Sequence, residues 1–269
     1  MLTKHITIYK AIFTPEITKN NPQIIYLPGF SLNAKSKAVN YLGNYLAKNG
    51  FSTVAISTTP HILLENSLEQ EAKEIADLLQ KSAKDPFILV AHSKGASKAI
   101  AVLEQLKQKP AAVVLITPVG IYPQNPKILQ KLFVKEVKEN TIPHIKKELT
   151  KGHKPMLNLA LGVLSMASKE TIIFLKTYPL RLQQEIEDLT INAPKRAKKV
   201  LFNLTIPIII GYTKNDKVVE ADKLLKTIKQ EKKNNIYVEE LSKEVTHAIP
   251  YTHPEIVLKL INSAASKIK

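Results

Sequence analysis

Phe87-Ile88-Leu89-Val90-Ala91-His92-Ser93-Lys94-Gly95 decides the fold. A short apolar run enters a small-x-Ser-x-Gly turn, and Ala99, Ile100, Leu103 and Leu106 then recur at helical spacing. A continuous apolar strand of this length reads as buried on both faces, the signature of a central strand in a parallel sheet. Ala91 and Gly95 have almost no side chain, so the backbone can fold back sharply between them and lift the Ser93 hydroxyl above the sheet. The pentapeptide alone also describes an ordinary turn. Its meaning depends on the strand before it, the helix after it and the partners the rest of the chain supplies.

Outward from that point the chain alternates strand and helix patterns. Ile6 to Ile12 reads as an edge strand. Gln23 to Leu27 is a strand ending in Pro28-Gly29, and Ala34 to Lys48 is a helix stopped by Asn49-Gly50. Ser52 to Ser57 is the next strand. Ser67 and Gln70 form a capping box for a helix with Leu68, Ala72, Ile75 and Leu79 on one face. Strands follow at Phe87 to Ala91 and Ala112 to Thr117. From about Gly120 to Val200 the strand rhythm stops and helices with breaks at Pro143, Lys151 to Pro155, Pro179 and near Pro194 are expected. Pro207 to Gly211 and Ile236 to Leu241 restore strands, and Pro254 opens a last helix through Val257, Leu260, Ile261 and Ala264. No internal repeat or low-complexity linker interrupts the pattern.

Composition sets the limits. At 269 residues and 44% hydrophobic, the chain can bury a large core with an insertion. Its first ten residues alternate like a strand and lack the apolar run of a secretory signal, which makes the cytoplasm the expected location. Without cysteine, thiol catalysis, disulfides and thiolate metal sites are excluded. The formal charge of +16 raises a nucleic-acid or anionic-membrane reading. Only Arg181 and Arg196 are arginines, however, and no basic run carries interleaved aromatics, so nucleic acid is not an expected partner. Ser-Lys-Gly-Ala-Ser-Lys lacks the order of a P-loop, and Lys94 and Lys98 read as solvent-facing.

At Ala91 to Gly95 the chain resembles the α/β-hydrolase superfamily, whose nucleophile elbow is usually G-x-S-x-G. Ala91 replaces the first glycine. The resemblance covers nearly the whole chain. It implies a mostly parallel central sheet flanked by helices, with a helical cap inserted between the sixth and seventh strands: core at 1–119, cap at 120–200, core again at 201–269. It also implies a triad in the order Ser, acid, His. Gly211-Tyr-Thr-Lys-Asn-Asp216 resembles the acid loop, and Val245-Thr246-His247 stands where the family's base resides. Of five aspartates, Asp216 alone has the right place; Glu220 and Asp222 are weaker substitutes. His253 is the rival to His247, with helix entry as its plainer role, and His92 is expected to pack beside the elbow. By the same resemblance, the backbone N–H groups of Phe30 and Lys94 would form the oxyanion hole. Three departures stand out: Pro28 where the family often has histidine, four residues between Gly211 and Asp216, and no glycine directly before His247.

A serine hydrolase acting on an ester or thioester through an acyl-enzyme is therefore expected, with Ser93 as nucleophile, His247 as base and Asp216 as orienting acid. No cofactor is expected. No histidine pair has metal-site spacing, so no metal is expected either. Acyl transfer, peptide cleavage and C–C hydrolysis remain open on the same scaffold. From Ile121 to Val200 there are 15 basic and 7 acidic residues, densest at Lys146-Lys147 and Lys195 to Lys199. Met156 to Ala167 is nearly all apolar. This pattern suits a small acyl substrate with an apolar chain and an anionic group, or peripheral contact with a membrane. A helix buried beside a solvated face explains it equally, and a non-catalytic protein that docks on anionic membranes or RNA is the rival from another class.

Overall fold

A computed structural model of the chain describes residues 6–16, 20–29, 34–58, 68–129, 186–242 and 245–268. Seven strands form one sheet in the order β1-β3-β2-β4-β5-β6-β7. They are β1 (Ile8–Phe13), β2 (Gln23–Leu27), β3 (Thr53–Thr58), β4 (Phe87–His92), β5 (Ala112–Ile116), β6 (Ile208–Tyr212) and β7 (Ile236–Glu240). The edge strand β1 runs antiparallel to β3, and every other pairing is parallel.

The central strand shows why its sequence has no polar alternation. Ile88 and Val90 enter a core on one face, and Leu89 and Ala91 enter the core on the other. The first face is covered by α1 (Lys37–Lys48) and α7 (Pro254–Ala265), the second by α2 (Leu68–Ser82) and α3 (Lys94–Gln105). With both faces dry, a central strand such as β4 or β5 must be apolar almost throughout, as buried parallel strands require. Helix α1 begins three residues later than its periodicity predicts, because Ser36 stays extended and its Oγ accepts the Val39 N–H at 3.4 Å. The capping box expected at Ser67 lies outside the described residues.

Register aligns the carboxyl ends of the strands. Leu27 faces Ala91, His92 faces Ile116, Ile116 faces Gly211, and Tyr212 faces Glu240. The residues just beyond, Gly29, Ser93, Thr117 and Thr213, therefore share one rim. The strand order reverses between β2 and β4, and ligands of open α/β sheets bind in the crevice that such a reversal leaves at this rim. Ser93 stands at that crevice.

The long segment that lacks the strand rhythm leaves after β5 and returns at β6. Counted along the described strands, this lies between the fifth and sixth, one earlier than the family numbering. Of the stretch 120–200, residues 130–185, including Met156 to Ala167 and Lys146-Lys147, lie outside the described residues. Its returning end is described: a π-helical turn at Asp188–Asn192 runs into α4 (Ala193–Lys199). Helix α4 packs on α3. Further helices among the described residues include α5 (Ala221–Glu231) and α6 (Ile249–Thr252). Among the described residues, no helix is long and apolar enough to cross a membrane.

Candidate active site

Ser93 joins β4 to α3 with φ 54° and ψ −125°, a backbone conformation that a residue with a Cβ adopts only when its surroundings force it. Three hydrogen bonds supply that force. The Ser93 N–H donates to Ile116 O at 3.0 Å, and its carbonyl accepts from Ala96 N at 3.0 Å and Val119 N at 3.2 Å. Gly95 allows the turn to close on β2, because a Cβ there would stand 2.4 Å from Leu27 O and 2.7 Å from Pro28 O. The elbow anticipated from small flanking residues is thus a contact between one glycine and the backbone ending β2.

Its hydroxyl meets the two distant partners. Ser93 Oγ lies 2.7 Å from His247 Nε2, and His247 Nδ1 lies 2.7 Å from Asp216 Oδ2. Asp216 Oδ2 can only accept from the ring, so Nδ1 carries a proton and Nε2 is left to accept from the serine. The other carboxylate oxygen, Oδ1, accepts the N–H groups of Val218 at 2.7 Å and Val219 at 3.0 Å. All three residues are buried.

The acid loop accommodates its extra length in a turn. The Asp216 N–H donates to Thr213 O at 3.2 Å and the Asn215 N–H to Thr213 Oγ1 at 3.2 Å. Thr213 Oγ1 in turn donates to Val245 O at 3.5 Å, tying the acid loop to the histidine loop. The absence of a glycine before His247 leaves the contact with Ser93 intact.

The rival residues go elsewhere. His253 stands at the entry to α7, its Nδ1 2.8 Å from Thr252 Oγ1. Glu220 pairs with Lys223, and Asp222 lies in the first turn of α5. Lys94 is the first residue of α3, directly after Ser93, so its N–H belongs to the helix N-terminal set that favours negative charge. Phe30 lies outside the described residues.

Two expectations need correction. Lys98 does not face solvent: its Nζ is 2.7 Å from Oε2 of the fully buried Glu71 and 2.7 Å from Thr58 Oγ1. Thr58 also donates to Glu71 Oε2 at 2.9 Å, which fixes the end of β3 to α2 and α3. Lys94 is half-buried, and burial, with Lys98 beside it, pulls its ammonium down to about 7. The periodicity of α3 could not reveal this, because the anchoring carboxylate comes from another helix.

His92 also does more than pack. It donates Nε2–H to His247 O at 2.7 Å, and burial, reinforced by His247, lowers it to about 3. Within the basic patch at Lys195 to Lys199, Arg196 is held by Glu69 and Glu104, and Lys199 by Glu104, while Lys195 and Lys198 are exposed. Among the described residues, no group of three histidine, aspartate or glutamate side chains is placed to hold a metal ion.

A doubly covered, mostly parallel sheet with a strained serine at its reversal point and a histidine and carboxylate delivered from β7 and β6 is the α/β-hydrolase fold. The sequence profile of one family within it, described as serine aminopeptidase S33, matches residues 19–247, and the chain belongs to that family. A search of curated proteins finds no match. Solved structures similar to the chain include an esterase from Exiguobacterium antarcticum, with TM-score 0.65, 14% identity and coverage of 96% of each chain. An enol-lactonase from Burkholderia xenovorans has TM-score 0.62 and 11% identity, over 95% of this chain and 96% of that one. A bromoperoxidase from Bacillus anthracis has TM-score 0.64 and 14% identity over 96% of each. At these identities the likeness shows the fold alone.

Proposed function

We propose that the protein is a serine hydrolase that cleaves a carboxylic ester or thioester through an acyl-enzyme. The single observation that carries this reading is the Ser93, His247, Asp216 line with 2.7 Å at both joints. Ser93 Oγ bonds to the carbonyl carbon while its proton passes to His247 Nε2. Asp216 holds the imidazole in the productive tautomer and stabilises the imidazolium. The negative charge on the carbonyl oxygen falls to the N–H groups of Lys94 and Phe30, where loss of one donor typically costs about 10²-fold to 10³-fold in rate. Collapse breaks the bond to the leaving oxygen or sulfur, which takes the proton from His247. Water then repeats the sequence on the acyl-enzyme, releasing the acid and restoring Ser93. The basic bias of residues 121–200 supports a substrate carrying an anionic group, or an approach to an anionic membrane surface.

Fluorophosphonate labelling followed by peptide mapping tests the assignment. The label should sit on Ser93, Ser93→Ala should take none, and a chain-length series of p-nitrophenyl esters should then define the acyl preference. A label on another residue would overturn the site, and no label with no ester turnover would favour a binding role. The family description favours one second reading, cleavage of an N-terminal peptide bond by the same acyl-enzyme route. Turnover of aminoacyl p-nitroanilides exceeding that of the esters would select it.

A further inference from the structure

Behind the triad lies a buried polar group that the acyl-enzyme chemistry does not use. His92 ends β4. Its Nε2–H reaches the His247 carbonyl at 2.7 Å, and a carbonyl can only accept, so the tautomer is fixed with Nδ1 bare. Nδ1 has no hydrogen-bond partner among the described residues. It faces the loop after β2 instead, where a Cβ on Gly29 would come 2.9 Å from Nδ1 and 3.2 Å from Ser93 Cβ. Gly29 is laid directly on the imidazole. Tyr251 of α6 packs edge-on against the same ring, with centroids 5.6 Å apart at 83°. Its hydroxyl is 2.7 Å from that of Tyr26, two residues before Pro28.

We propose that His92 and Tyr251 are positioning residues that fix the loop carrying His247 and the loop at Pro28-Gly29 to each other and to the serine elbow. Apolar rings would fill this space equally well, and burying two phenols and an imidazole without a directional role costs free energy. What the polar atoms add is aim. The His247 main chain is set by a donor from β4, Gly29 lies against His92, and Tyr251 ties the His92 ring to Tyr26 at the end of β2. The arrangement also suits the cycle: a cation next to His247 would oppose formation of the imidazolium, whereas His92 is uncharged at the pH where His247 works.

This inference rests on the serine-hydrolase reading, and the experiment separates the two. Tyr251→Phe, His92→Leu, His92→Gln and the double variant Tyr251→Phe/His92→Leu are assayed with p-nitrophenyl acetate. Fluorophosphonate titration counts active sites, so that unfolded protein does not enter the rate. Because a misplacement of about 1 Å can cost on the order of 10²-fold, kcat per active site should fall about 10-fold to 100-fold in Tyr251→Phe and His92→Leu, with KM unchanged. His92→Gln, whose amide N–H can replace Nε2–H, should recover most of the loss. The double variant should be no worse than the worse single one, as for groups acting as a unit. Wild-type kcat in both single variants, or a His92→Gln as impaired as His92→Leu, overturns the positioning role while an active, labelled wild type leaves the hydrolase reading standing. A wild type that neither labels nor turns over removes both.

Discussion

Both oxygens of Asp216 are occupied, one by the histidine ring and one by two backbone N–H groups, so the carboxylate has no freedom to turn away from His247. Asp216→Asn would keep the shape but offer an N–H at one of these positions, opposing either the ring N–H or the two amides. It is expected to lower turnover about 10⁴-fold, as loss of an orienting acid does through the wrong histidine tautomer; steady-state rates near wild type would reject the assignment. Since His247 must be neutral to accept the serine proton, kcat/KM should also fall as the solution is acidified, and a flat profile between neutral and mildly acidic pH would count against it. His253→Ala, changing a residue at the entry to α7 whose Nδ1 lies beside Thr252 Oγ1, should leave that profile in place. The convergence of Ser93, Asp216 and His247 was legible because their order and their loops carry the signal. The reach of His92 was not, because its partner is a main-chain carbonyl 155 positions away and no side-chain pattern encodes it.

At the scale of elements, the Ser93 turn depends on how closely α3 can approach β2. Gly95→Ala would put a methyl 2.4 Å from Leu27 O and 2.7 Å from Pro28 O, and a strand-end backbone cannot swing aside as a flexible side chain can. The elbow must lift from β2, at a cost of about 1–3 kcal/mol or more for an overpacked contact. A lowered urea midpoint and a reduced kcat per active site are both expected; an unchanged pair would show that the contact is not limiting. Helix α3 is held from its other side by Glu71, which is fully buried and pairs with Lys98. Glu71→Ala leaves the lysine nearly buried without its counter-charge, which typically costs about 3–5 kcal/mol and is read from the same denaturation curves. A cost below about 1 kcal/mol, the value of an exposed pair, would sink the structural role given to this contact. Elements were readable from the sequence to within a residue or so wherever a strand was buried on both faces, as at β4 and β5. Helix α1 was read three residues too long because periodicity does not see a cap, and Ser36 supplies one.

For the molecule as a whole, acid is the condition that tests the buried site. The mostly parallel sheet followed from alternating strand and helix signals, but the proton balance of the fold did not, because it depends on a histidine whose burial only the assembled core creates. His92 is lowered from its ordinary 6.5 to about 3, first by burial and then by the neighbouring His247. Between those values the unfolded chain binds a proton that the folded protein does not, so stability is fully present above about 6.5 and is lost as pH falls toward 3. The limiting loss from this one group is roughly tenfold in the folding constant per pH unit. Acid also protonates carboxylates in a chain already at +16, adding self-repulsion that acts whether or not His92 is present. His92→Gln separates the two contributions: it keeps a donor for the His247 carbonyl and removes the titrating ring. Urea unfolding followed across the acid range should therefore give a shallower decline of stability with falling pH for the variant than for the wild type. Parallel declines would mean that repulsion alone drives the acid transition and that His92 takes up its proton without unfolding the site.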